Sequence, residues 1–149
     1  MYATIDKLRE ISRRCLADES LSNEQLRWLG QSLTEFLSHR ARSIDEALGL
    51  RFARGGVPWW LEEAIRKRDD ALRQLTARNL LGLSVTAQAR QIHAMSAAYH
   101  AAAWRVDQER SQMPANYCGM ANEWLWRAFR SGAPMPISER QLRHVLGRA

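Results

Sequence analysis

The chain has 149 residues, of which 46% are hydrophobic and 26% charged, enough for a folded domain with its own core. Its 22 cationic side chains outnumber the 16 acidic ones, and the resulting charge of +6 favours anionic partners such as nucleic acid or an acidic protein surface. No stretch reaches the roughly 18 consecutive apolar residues of a membrane span, and charges interrupt the N-terminal run where a signal peptide would be apolar, so a cytoplasmic protein without membrane contact is expected. Cys15 and Cys118 stand far apart and outside any CxxC motif, which suits a reducing compartment.

In chain order, the spacing predicts a first helix over about residues 4–17, with Ile5, Leu8, Ile11, Cys15 and Leu16 on one face. A second begins at Ser22, where Ser22 and Gln25 read as a capping box and Leu21 and Leu26 as a hydrophobic staple. Its expected buried stripe is Leu26, Leu29, Leu33, Phe36 and Leu37. Ser43 and Glu46 repeat the box before a short helix that Gly49 ends. Residues 51–57 are the best candidate loop, because the Gly55-Gly56 pair bends without steric cost.

Pro58 opens the next helix, reaching to about residue 78 with Leu61, Ile65, Leu72 and Leu75 inside. Glu62–Arg66, Glu63–Lys67 and Asp69–Arg73 are expected as ion pairs one turn apart on a solvated face. Gly82 and Ser84 stop one helix and start the longest, about residues 85–108, whose stripe is Ile92, Met95, Tyr99, Ala102 and Val106. Its alanines Ala94, Ala98, Ala102 and Ala103 permit close helix packing. A helix near residues 116–131 follows, with Tyr117, Met120, Trp124, Leu125, Ala128 and Phe129 inward. Beyond the break at Pro134 and Pro136, Ser138 and Gln141 form a third capping box, with Ile137 and Leu142 as staple. Period-two alternation is absent. One all-α domain spanning residues 1–149, a bundle of six or seven helices, is the expected architecture.

Chemistry is sparse. His93 and His100 stand two turns apart, whereas a metal needs ligands one turn apart and others besides, so no metal and no cofactor are expected. Neither a nucleophile elbow nor a phosphate-binding glycine loop occurs, and Glu62-Glu63 and Asp69-Asp70 sit among arginines that explain them as salt pairs; no enzyme is expected.

Twenty of the 22 cations are arginine, accompanied by six tryptophans. Arginine's planar fork grips phosphate and stacks on rings. A GC-rich genome also yields arginine in excess, along with the 21 alanines seen here. The densest cluster is residues 39–54, HRARSIDEALGLRFAR, where Arg40, Arg42, Arg51 and Arg54 surround the short helix and precede Trp59-Trp60. These are the ingredients for holding a phosphate backbone and stacking a base, and the helix opened by Ser43 offers its N-terminal amides. The bland alternative stands beside it: Trp59 and Trp60 pack the core while the arginines pair with Asp45, Glu46, Glu62 and Glu63. On the last helix Arg140, Arg143 and His144 share a face suited to a DNA groove, although a helix-turn-helix would need a further helix after it. Trp28, Trp104 and Trp124 are expected in the core; Trp126 lies off the inner face, and one of Trp59 and Trp60 must point outward.

The run from Ala47 to Arg51, then Gly55-Gly56, Trp59-Trp60, Ala64, Arg68-Asp69 and Leu72-Arg73, with Ser138 to Arg143 at the end, resembles small uncharacterised proteins of high-GC bacterial and prophage genomes. That resemblance implies origin and no activity. Two functions follow from the residues. The first is a nucleic-acid-binding regulator of a bacterium or phage, using Arg40, Arg42, Arg51, Arg54, Trp59, Trp60, Arg140 and Arg143. The second is a protein-interaction module, an inhibitor or adaptor, with a homodimer through the alanine-rich helix as one form.

Overall fold

The computed structural model describes residues 2–51 and 56–147, with Tyr2 described by its backbone alone. Among the described residues there are eight α-helices and no strand, so the chain is all-α. The helices are α1 (Tyr2–Leu16), α2 (Asn23–Leu37), α3 (Ile44–Ala47), α4 (Trp59–Asn79), α5 (Val85–Ala101), α6 (Trp104–Asp107), α7 (Ala121–Arg130) and α8 (Glu139–Leu146), with a 3₁₀ turn at Ala115–Tyr117. None is long and apolar enough to cross a membrane. Contacts along the chain fall into two compact units, Met1–Trp59 and Trp60–Ala149.

In the first unit, local signals set the helix starts. Ser22 Oγ accepts from the Gln25 amide and the Gln25 side chain accepts from the Ser22 amide, a complete capping box. At Ser43 the box is only half made: its hydroxyl caps the Glu46 amide, but the Glu46 carboxylate reaches past it to the Arg42 N–H at 2.8 Å. Lys7 of α1 holds α2 through Glu24 at 3.0 Å and through the Trp28 ring. The expected burial fails in two places. On α1 the inner stripe stops at Ile11, and Cys15 and Leu16 are exposed. On α2 the expected buried stripe is turned outward: Leu26 is 53% exposed, Leu33 48%, Phe36 39% and Leu37 73%, while Ser32 is buried. Among the described residues of this unit only one side of α2 is occupied, along the Trp28 and Ser32 edge, and so small a unit has little chain to cover the other.

The second unit has a continuous core. Ala71, Leu72 and Leu75 of α4, Ala89, Ile92 and Tyr99 of α5, Leu125 and Ala128 of α7, and Leu142 and Val145 of α8 form one cluster. α5 packs along α8. The solvated face expected for α4 is partly internal: Glu63 is buried beside Lys67, and Arg68 pairs with its neighbour Asp69 at 2.6 Å with both side chains largely covered. Arg73 pairs with Asp70 and not with Asp69, and also donates to the Val145 carbonyl on α8. At α8 the Ser138 hydroxyl caps Gln141, but Ile137 is exposed and makes no staple.

The eighth helix arises because the long helix expected over residues 85–108 breaks at Ala102 (φ −115°, ψ −85°). The break turns the chain so that Asp107 meets Tyr99, a pairing that a straight helix would forbid by placing them about 12 Å apart along its axis. The stripe therefore ends at Tyr99, with Ala102 and Val106 exposed. The next helix likewise starts later than expected, at Ala121, after the 3₁₀ turn, and Met120 is exposed.

Candidate nucleic-acid interface

The residues expected to touch nucleic acid fall in both units. In the first, Arg40 is exposed and donates from Nε to Ser38 Oγ at 3.1 Å. It lines a shallow groove with Arg27, Gly30, Gln31, Thr34 and Glu35. Arg42 and Arg51 are both exposed and are joined by one carboxylate: Glu46 accepts the Arg42 N–H on one oxygen and the Arg51 guanidinium on the other, at 2.7 Å. The Arg42 N–H, reinforced by Arg51, holds the Glu46 carboxyl below its ordinary range. Arg54 lies outside the described residues. The offered amides of α3 do not suit a phosphate, because Ser43 already caps Glu46, and Asp45 and Glu46 place two negative charges in that turn.

Trp59, the last residue of the first unit, is half-buried, and Trp60, the first of the second, is exposed on the first turn of α4. Arg140 and Arg143 are exposed on α8, whose other face buries Leu142 and Val145. Arg140 and His144, one turn apart, line a groove of about 800 Å³ floored by Ile65, Met135 and Val145. Charge is divided unevenly along the chain. Residues 1–59 hold nine cationic against eight acidic side chains, and residues 60–149 hold thirteen against eight, so nearly the whole positive excess lies in the second unit.

A second groove of that unit involves residues that the sequence pattern alone does not single out. A groove of about 460 Å³ runs between α4 and α7, lined by Lys67, Asp70, Ala71 and Gln74 on one side and by Trp124, Trp126, Arg127 and Arg130 on the other. The α7 segment WLWRAFR explains its wall: Trp124 and Arg127 are three apart and Trp126 and Arg130 four apart, the two spacings that stack side chains on a helix. The Arg127 guanidinium lies 4.9 Å from the centre of the Trp124 ring, and Arg130 lies 5.9 Å from that of Trp126. Arg78 approaches Trp124 as well, at 5.7 Å. Each contact is a cation–π arrangement, and those of Arg127 and Arg130 leave a guanidinium lining the groove.

Arg127 is further held by Glu123, a buried carboxylate that also accepts the Gly119 N–H at 2.7 Å. Arg130 donates to the Gln108 carbonyl. Both indole N–H groups, Trp124 Nε1 and Trp126 Nε1, are buried and meet no acceptor among the described residues. The tryptophans expected in the core are thus only half-buried, and Trp124 serves as groove wall as well as packing. The alternation of Trp and Arg on one predicted helix was the available signal. The α4 side of the groove comes from residues fifty positions away, which no local pattern announces.

The fold and the groove define an all-α protein with a basic, tryptophan-walled cleft. No protein-family model matches the chain, and no curated protein or solved structure matches it either.

Proposed function

We propose that the protein is a regulator that binds nucleic acid in single-stranded form through the α4–α7 groove. The observation that carries this is the pair of guanidiniums held against tryptophan faces at the groove, Arg127 on Trp124 and Arg130 on Trp126. Single-strand binders combine a basic track for phosphates with aromatic faces on which bases stack, and unpaired bases are needed because duplex bases keep their faces covered. The positive excess of residues 60–149 supplies the electrostatic attraction. Lys67 extends the basic rim, and Arg140 and Arg143 of α8 add phosphate contacts beyond it.

Fluorescence anisotropy with a labelled oligonucleotide tests this reading. Affinity should fall steeply with salt. Arg130→Ala and Arg127→Ala should each weaken binding about uniformly across sequences and lower the salt slope by about one unit. Trp126→Ala should cost about 1–3 kcal/mol through lost stacking. No binding of single-stranded DNA or RNA at low salt would overturn the proposal. A protein-interaction module is the second reading, favoured by one observation, the uncovered apolar stripe of α2.

A further inference from the structure

We infer that α2 is the contact surface of a homodimer, in which the same helix of a second copy lies antiparallel against it. The surface is the stripe Leu26, Leu29, Leu33 and Phe36, continued by Leu37, in which Leu29 is half-buried and the other four are exposed. Its steps of three, four and three residues are those of a coiled-coil seam, and a strict seam is what one helix presents to another. Among the described residues none covers this regular face.

The stripe is self-complementary when reversed. Rotating α2 about an axis at Gln31 sets Leu26 opposite Phe36 of the second copy and Leu29 opposite Leu33. The same layers then repeat in mirror order at the other end. A two-fold interface demands this property, that each contact occur twice with partners exchanged. In an antiparallel pair of helices it is also the required matching of first and fourth heptad positions.

Two further features favour a second copy over an unlike partner. Gly30 sits at the edge of the stripe in mid-helix, where glycine weakens a helix, and a Cβ built there meets nothing within 4 Å. The chain by itself therefore has no use for the missing side chain, whereas a helix crossing close by does. The charges of α2, namely Glu24, Arg27 and Glu35, all lie away from the stripe, which is flanked by uncharged Gln25 and Gly30 and, on its inner side, by the buried Ser32. Reversed pairing thus brings no like charges together. The first unit is nearly neutral, so two copies meet there without the repulsion that the basic second unit would impose.

Four exposed apolar side chains per chain are well short of the roughly 20–30 residues that each partner brings to a standard interface, with the flanking polar residues supplying part of the remainder. A patch of this size suits a reversible dimer, which would cover what the described first unit leaves bare.

Sedimentation equilibrium of the full chain from about 1 to 300 µM tests this, with Leu33→Glu as the variant. Leu33 is half exposed, so the substitution leaves the fold intact by circular dichroism while placing two charges in the central layers of the pair. The expected result is a monomer–dimer equilibrium that Leu33→Glu shifts at least tenfold toward monomer. Orientation is read by crosslinking in a Cys15→Ser, Cys118→Ser background. An equimolar mixture of the Leu26→Cys and Phe36→Cys chains should form a disulfide-linked heterodimer, and neither chain alone should crosslink. A strict monomer at 300 µM, or a dimer indifferent to Leu33→Glu, overturns the inference. Rapid self-crosslinking of Leu26→Cys overturns the antiparallel register.

Discussion

Asp107 accepts the Tyr99 hydroxyl at 2.8 Å across the break that ends α5, and the same oxygen accepts the Tyr117 hydroxyl at 2.8 Å. Its other oxygen faces Arg110 at 3.3 Å. A buried carboxylate thereby ties α5, α6 and the 3₁₀ turn together. The Tyr99 ring lies against Phe129, Trp104 and Tyr117, so the polar bond is enclosed by aromatic packing. Asp107→Ala leaves two phenol hydroxyls without their acceptor, and should lower stability by about 2–4 kcal/mol. Tyr117→Phe removes one donor and its cost should be nearer 1 kcal/mol. Urea unfolding followed by circular dichroism checks both, and equal losses in the two variants would contradict the bridging role.

The same node sets an alkaline limit. Burial, and then the bond to Asp107, pushes the Tyr99 phenol above its ordinary range, and Tyr117 is raised for the same two reasons. A group whose folded pKa is raised contributes stability that is complete below its unfolded pKa, about 10 for tyrosine, and lost as pH climbs above it. The urea midpoint should therefore hold to about pH 9 and drop steeply beyond pH 10. The Tyr99→Phe, Tyr117→Phe double variant, weaker at neutral pH, should lose less over that interval. A parallel decline of the two proteins would show that other groups carry the alkaline loss.

What could be read beforehand depended on how local its cause was. Ser22, Ser43, Ser84 and Ser138 all cap their helices as their sequence neighbours suggest, because a cap is made within four residues. The break at Ala102 was invisible, since it answers to Asp107, Tyr99 and Tyr117 meeting in space, and the pattern from Val85 onward continues smoothly through it. The stripe of α2 was correctly seen as apolar and wrongly assigned to the interior. Periodicity reports that a face seeks a partner and is silent on whether the chain provides one. The groove is legible only in part: Trp124 and Trp126 stand out by type, whereas Arg127 and Arg130 gain meaning from their spacing to them, and Lys67 and Gln74 join only through the packing of α4.

Acid should act on two carboxylates of the first unit. The Arg42 N–H and the Arg51 guanidinium hold Glu46 below its usual range, and hydrogen bonds from Arg13 and then Arg14 bring Glu10 down to about 2. For a depressed carboxyl the contribution is present above its unfolded pKa, near 4.5, and is lost as pH falls toward the folded value. Glu46→Gln should therefore be less stable than the parent protein at pH 7, with the gap narrowing as pH falls below 4.5. Urea midpoints of the two proteins across that range measure it. A gap unchanged by pH would mean that Glu46 acts through shape alone.

Two helix ends in the first unit carry correctable strain. Asp18, past the end of α1, has φ +54°, and His39, past the end of α2, has φ +58°, the left-handed region in which a side chain crowds its own backbone. Helix ends favour glycine in that conformation, as the chain itself does at Gly49 after α3 (φ +72°). Asp18→Gly and His39→Gly should each stabilise by about 0.5–1 kcal/mol, whereas Gly49→Ala should destabilise by about 1 kcal/mol. A Cβ at Gly49 would meet nothing within 4 Å, so any loss there reports backbone conformation alone. Thermal midpoints of the three variants check the set. If His39→Gly failed to stabilise while Gly49→Ala destabilised as stated, the His39 side chain would be contributing an interaction that offsets its strain, and a His39→Ala variant would then be markedly less stable than His39→Gly.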